Sequence, residues 1–134
     1  MRTIAIVQAR MGSTRLPGKS AMSIGEHSLL WHVLQRVKQA KTLDSVVLAM
    51  PDEGEATVRM METIEELRVH CSILPGDPTD LLSRYYHAAK QYQADVVVRI
   101  PADNPCVDPD EIDRIVTHYH GQPHPTGQWL YTNL

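Results

Sequence analysis

Residues 8 to 19 read Gln8-Ala9-Arg10-Met11-Gly12-Ser13-Thr14-Arg15-Leu16-Pro17-Gly18-Lys19. These twelve residues hold three cations (Arg10, Arg15, Lys19), two glycines, two hydroxyls and a proline, and an apolar run from Thr3 to Val7 leads into them. A strand that empties into a glycine-containing, cationic loop suits phosphate. Glycines let backbone N–H groups approach an anion, and fixed cations neutralise it. Spacing argues against a P-loop. That motif puts four residues between its first glycine and Gly-Lys-Ser, whereas five separate Gly12 from Gly18-Lys19-Ser20, and Pro17 fixes a φ inside the loop. A merely basic surface turn is the plainer alternative. Against it, the cations are concentrated where a strand ends.

Within this loop Lys19 is the first candidate for phosphate, a compact charge at the end of a glycine turn. Arg10 at the strand's end and Arg15 follow, with Gly12 and Ser13 offering amides and a hydroxyl. A second chemical stretch is Pro101-Ala102-Asp103-Asn104-Pro105, after the β-rich run Asp95–Ile100. Its prolines make a stiff turn that aims Asp103 outward. One exposed carboxylate suits Mg²⁺, which completes its octahedron with water and phosphate. The alternative is an aspartate that only caps the turn. Asp80 and Arg84 stand four apart on one helix, so a local ion pair explains them as well as a ligand role does. No nucleophile–base arrangement is spelled anywhere.

The elements that must position these groups alternate. Strands are expected at Thr3–Ala9, Val46–Met50, residues 70–74 and Asp95–Ile100. Helices are expected at His27–Ala40, Glu53–Leu67, from Asp77-Pro78 to about Tyr92, and after Asp108-Pro109. In the first helix Leu29, Leu30, Val33, Leu34 and Val37 form the inner stripe, with Gln35, Arg36, Lys38 and Gln39 outside. In the third, Leu81, Leu82, Tyr85, Ala88, Ala89 and Tyr92 share the inner side. Ser23 to His27 reads as a turn around Gly25, and Trp129–Thr132 begins one more strand. Alternating strands and helices mean an α/β fold, a mainly parallel sheet with helices on both faces. Ligands of such sheets sit at the carboxyl ends of the strands. Residues 8–19 and 101–106 would face one crevice if the first and fourth strands are neighbours.

At 134 residues the chain is expected to form a single domain. The formal net charge of −3 gives no global basic field for nucleic acid. No long apolar run suggests a membrane span or leader, and Cys71 and Cys106 lack metal-ligand spacing, so the expectation is a cytoplasmic protein with free thiols. His118, His120 and His124 fit a polar segment better than a zinc site.

The opening stretch resembles the signature of the sugar-activating cytidylyltransferases, which include the enzymes that make CMP-activated acidic sugars and the related spore-coat polysaccharide proteins. The resemblance continues through Leu29-Leu30-Trp31-His32-Val33-Leu34, Asp80-Leu81-Leu82-Ser83-Arg84-Tyr85-Tyr86 and residues 94–105, nearly the whole chain. It implies a Rossmann-like, three-layer nucleotidyltransferase fold and a Mg²⁺-dependent enzyme that moves CMP from CTP to a sugar, with release of pyrophosphate. It implies that Gln8, Ala9 and Arg10 line the nucleotide pocket, that Gly76, Asp80 and Arg84 lie near base and sugar, and that Asp103 binds the metal. Guanylyl, uridylyl and adenylyl relatives tend to open on Leu-Ala-x-Gly, and Gln8-Ala9-Arg10 differs, which favours CTP.

The family pattern runs on past Leu134 into the acceptor-sugar region, a second acidic metal ligand and, commonly, a dimer interface. The chain is therefore expected to be one nucleotide-binding domain, 1–134, shortened relative to the family. An exposed last strand would invite self-association into a homo-oligomer. Two other readings stand beside the enzyme: a non-catalytic nucleotide-binding or regulatory module, and a glycosyltransferase. For the latter, Asp108-Pro109-Asp110 is the only Asp-x-Asp, and Pro109 makes it a helix cap.

Overall fold

The computed structural model describes residues 1–9, 18–66 and 72–123. Arg10, Gly12, Ser13 and Arg15 lie outside these residues, as do Cys71, His124 and the strand expected at Trp129–Thr132.

The chain runs β1 (Thr3–Gln8), β2 (Ser23–Ile24), β3 (His27–Ser28), α1 (Leu29–Val37), β4 (Ser45–Pro51), α2 (Glu55–Glu66), β5 (Ser72–Gly76), α3 (Leu81–Gln91), β6 (Val96–Pro101) and α4 (Pro109–His120). The main sheet is parallel, in the order β5-β4-β1-β6. Its core strands are near-continuous Val, Ile, Leu and Ala because both faces are covered. On one face Ala5, Val7, Ala9, Leu48, Met50 and Ile100 pack against Leu29, Leu30, Val33, Leu34 and Val37 of α1 and Ile112 and Val116 of α4. On the other, Ile4, Ile6, Val47 and Ala49 pack against Ala88 of α3, with Tyr85 and Tyr92 beside it.

Handedness explains the split. The α1 and α2 connections each step outward from β1, while α3 carries the chain back across β4 and β1 to β6. Right-handed crossovers therefore put α3 on the opposite face. The result is the three-layer α/β architecture the alternation implied, with β1 and β6 as neighbours.

Several local expectations change. Residues 23–28 form a short antiparallel hairpin around Gly25, which takes φ 65°. The first helix starts later than expected because Ser28 caps it, its hydroxyl accepting the Trp31 N–H at 3.1 Å. The third strand is Ser72–Gly76. Asp77 does not cap α3. Its carboxylate captures the N–H groups of Thr79 and Asp80 in a local turn, and Asp80 becomes the cap, accepting from Ser83 N–H at 2.9 Å. The helix then begins three residues later, and Leu81 and Leu82 point outward, Leu82 remaining 74% exposed. Asp108 caps α4 as expected, with Pro109 in the first turn.

Leu34 is wholly buried and Leu82 is not. Leu34→Ala should lower the unfolding free energy in urea by about 2–5 kcal/mol. Leu82→Ala should stay within about 0.5 kcal/mol of the unaltered chain.

Candidate functional site at the carboxyl edge

All strands of the main sheet point the same way, so Gln8, Pro51, Gly76 and Pro101 end on one edge. The chain leaves β1 toward β4 on one side and returns to β6 on the other. The strand order reverses between β1 and β6, the kind of point at which open α/β sheets bind their ligands. Gln8 pairs with Pro101 at that point. Gln8 is half-buried and Ala9 buried, and Ala9 N–H extends the ladder to the Ala49 carbonyl at 3.1 Å.

Lys19 returns to this edge. Gly18 takes φ 71°, a conformation that costs other residues a Cβ clash, and one 3-10 turn, Lys19–Ala21, follows. Ser20 is buried, and Met22 carries the chain into the hairpin, its N–H bonded to the Lys19 carbonyl and its carbonyl to Leu29 N–H. His32 on α1 braces the hairpin through the Ile24 carbonyl at 2.8 Å. His27 stacks on Trp31 at 3.7 Å. The lysine thus extends from a braced turn.

Asp103 comes to the same place from β6. Ala102 and Val107 sink into the core on either side of an exposed arch. Asn104 Oδ1 accepts the Cys106 N–H at 3.0 Å, and Arg36 donates through Nε to the Val107 carbonyl. Arg36 was expected on the solvent side of α1; instead it ties that helix to the Asp103 arch. At this edge Lys19 Nζ stands 3.6 Å from Asp103 Oδ2. Two residues separated by most of the chain, picked from the sequence for phosphate and for metal, are brought into contact.

Gly76, Asp80 and Arg84 form a separate group at the end of β5. Arg84 is buried, and its Nη1 donates to the Asp77 carbonyl at 2.8 Å and reaches that of Pro78 at 3.4 Å. It lies flat under Gly76, where an added Cβ would stand 2.8 Å from Arg84 Cγ. Asp80 caps the helix and is bonded to Ser83, so the Asp80–Arg84 ion pair is replaced by a cap and a carbonyl clamp. The hydrogen bonds from Asp80 N–H, Thr79 N–H and the Thr79 hydroxyl hold the Asp77 carboxyl below its ordinary value of 3.8. On the α3 face Arg99 donates to the Tyr85 hydroxyl at 3.2 Å, and burial pushes that phenol up.

No group of three His, Cys, Asp or Glu side chains suited to a metal occurs among the described residues. His120 instead bonds the Thr3 hydroxyl at 3.1 Å. Asp103 therefore offers one hard oxygen, which fits a cation that takes its remaining ligands from water and phosphate. Cys106 is an exposed free thiol. No described helix is long and apolar enough to cross a membrane.

Residues 4–132 match the family described as cytidylyltransferase. The chain is 36% identical over 118 residues to an uncharacterized protein of Methanocaldococcus jannaschii, covering 88% of this chain and 47% of that one. It is 33% identical over 126 residues to the spore coat polysaccharide biosynthesis protein SpsF of Bacillus subtilis, covering 87% and 49%. Among solved structures, a cytidylyltransferase from Leptospira borgpetersenii superposes with a TM-score of 0.82 at 35% identity, covering 91% of this chain and 50% of that one. CMP:2-keto-3-deoxy-manno-octonic acid synthetase, solved with CTP, has the same fold, with a TM-score of 0.78 at 20% identity over 90% of this chain and 48% of its own. The chain spans about half the length of the relatives it matches.

Two predictions follow from the β5 end of the edge. Gly76→Ala forces a buried side chain to move and should lower stability by about 1–3 kcal/mol. A carboxyl held low, as Asp77 is, stabilises the folded chain above its ordinary value, and that contribution vanishes as pH falls through the lowered one. Asp77→Ala should thus lower the urea midpoint at neutral pH, and the difference from the unaltered chain should shrink below about pH 4.

Proposed function

Since the chain belongs to the cytidylyltransferase family, we propose that its carboxyl edge binds CTP with Mg²⁺ and carries the nucleotide half of a transfer of CMP to a sugar, with release of pyrophosphate. The observation that carries this reading is the approach of Lys19 to Asp103 at the β1–β6 edge. Such a transfer needs no protein nucleophile. It needs a polyanion neutralised, a cation on the reacting phosphate and an acceptor held in line.

Lys19 contacts the phosphates and follows charge onto the leaving pyrophosphate, with Arg10 and Arg15 as further cations and Gly12 and Ser13 as donors of the same loop. Gln8 and Ala9 floor the pocket. Asp103 holds Mg²⁺, which when bound withdraws charge from the phosphate. Gly76, Asp80 and Arg84 shape the base and sugar side; here Arg84 works by fixing the loop, since its aliphatic stem packs against Gly76 and its guanidinium donates to the Asp77 carbonyl.

The acceptor is an acidic sugar, as the names of the 3-deoxy-manno-octulosonate cytidylyltransferase relatives suggest, and the product serves surface polysaccharide assembly, as that of SpsF suggests. The work is cytoplasmic, where CTP is made, and a homo-oligomer is compatible with it. One second reading stands beside it, a module that holds nucleotide without turning it over.

Lys19→Ala should weaken CTP binding about 10- to 100-fold, the loss expected for one hydrogen bond to a charged group. Unchanged affinity would remove the loop from the site. Pyrophosphate release from CTP and an acidic sugar separates enzyme from module: release supports the first, binding without release the second.

A further inference from the structure

We propose that Lys19 couples the binding of metal and nucleotide: in the nucleotide-free protein its ammonium occupies Asp103 and lowers the affinity of that carboxylate for divalent cations, and phosphate relieves this by drawing the lysine away. This rests on the reading above, that Asp103 takes the metal and Lys19 the phosphate.

The geometry gives each group two alternative partners. Lys19 Nζ lies 3.6 Å from Asp103 Oδ2, while the two side chains stay 34% and 56% exposed, so ligand can reach either. Neither backbone need move for the exchange. The lysine is held by the Gly18 turn and the hairpin behind it, and the aspartate by the anchors Ala102 and Val107. Only the flexible lysine side chain has to swing.

A cation and an ammonium cannot share one carboxylate oxygen at that distance without repulsion. Among the described residues no group of three His, Cys, Asp or Glu side chains surrounds Asp103, so a cation there meets the lysine's charge with no protein cage to offset it. The lysine's competing contact is a partly exposed ion pair, strong enough to depress metal affinity a few-fold and weak enough for a triphosphate to break. Because coupling between two sites is reciprocal, phosphate that removes Lys19 raises metal affinity, and metal on Asp103 frees Lys19 for phosphate. The site then favours the metal–nucleotide pair over either alone.

The test is a Mn²⁺ titration of the nucleotide-free, ¹⁵N-labelled chain, read by paramagnetic broadening of the Asp103, Asn104 and Cys106 amide signals. Lys19→Gln should reach half-broadening at about two- to fivefold lower Mn²⁺ than the unaltered chain. Lys19→Arg, which keeps a cation, should not. Lys38→Gln removes a charge at the end of α1, beside the amino ends of β4 and β5, and should also leave the titration unchanged. If Lys19→Gln titrates like the unaltered chain, or Lys38→Gln shifts it equally, the coupling role is wrong while Asp103 can still be the ligand. If Asp103→Asn broadens at the same Mn²⁺ concentration as the unaltered chain, the metal assignment itself fails. The two failures are thereby distinguishable.

Discussion

The parallel pairing of β1 with β4 on one side and β6 on the other is the constraint from which the carboxyl edge follows. Ile4, Ala5, Ile6 and Val7 are wholly shielded, and burying each larger side chain contributes roughly 1.5–3 kcal/mol. A slip of one residue would send Ile4 and Ile6 to the α1 face and Ala5 and Val7 to the α3 face, where neither set fits. The hydrophobic register therefore fixes the level at which β1 ends. It sets Gln8 opposite Pro101, at the edge where Lys19 and Asp103 meet.

Each exposed polar group at this edge stands next to buried anchors. Lys19 stands beside buried Ser20, and Asp103 between Ala102 and the buried Val107. Arg36 reaches from α1 to the Val107 carbonyl, so the helix that packs behind β1 also steadies the arch after β6. At the far end of the edge Arg84 fills the space that a side chain at Gly76 would need. The molecule carries a formal charge of −3, so the proposed attraction for a polyanion would come from where the cations sit rather than from net charge.

β1 and β4 were readable because a run buried on both faces carries few polar residues to confuse it, and the Asp108-Pro109 start of α4 because cap and proline agree. The start of α3 was misread because Asp77-Pro78-Thr79-Asp80 contains two aspartates able to cap. Only the hydrogen bonds decide between them, and Asp77 spends its oxygens on Thr79 and Asp80. That three-residue shift turned Leu81 and Leu82 outward. Arg36 looked like a solvated residue because its partner, the Val107 carbonyl, lies 71 positions away and has no side-chain signature. The contact between Lys19 and Asp103 is of the same kind. Both residues were chosen for their chemistry, but their meeting depends on strand order, which the alternation of elements narrows and tertiary packing decides. The family resemblance carried by residues 8–19 extends over residues 4–132.

The central claim, that the β1–β6 edge is a CTP site, is tested most directly by calorimetric titration of the chain with CTP, ATP, GTP and UTP, each with Mg²⁺. The account predicts saturable binding of CTP and little or none of the other three. Equal binding of all four would contradict the base assignment, and no binding of any would contradict the site.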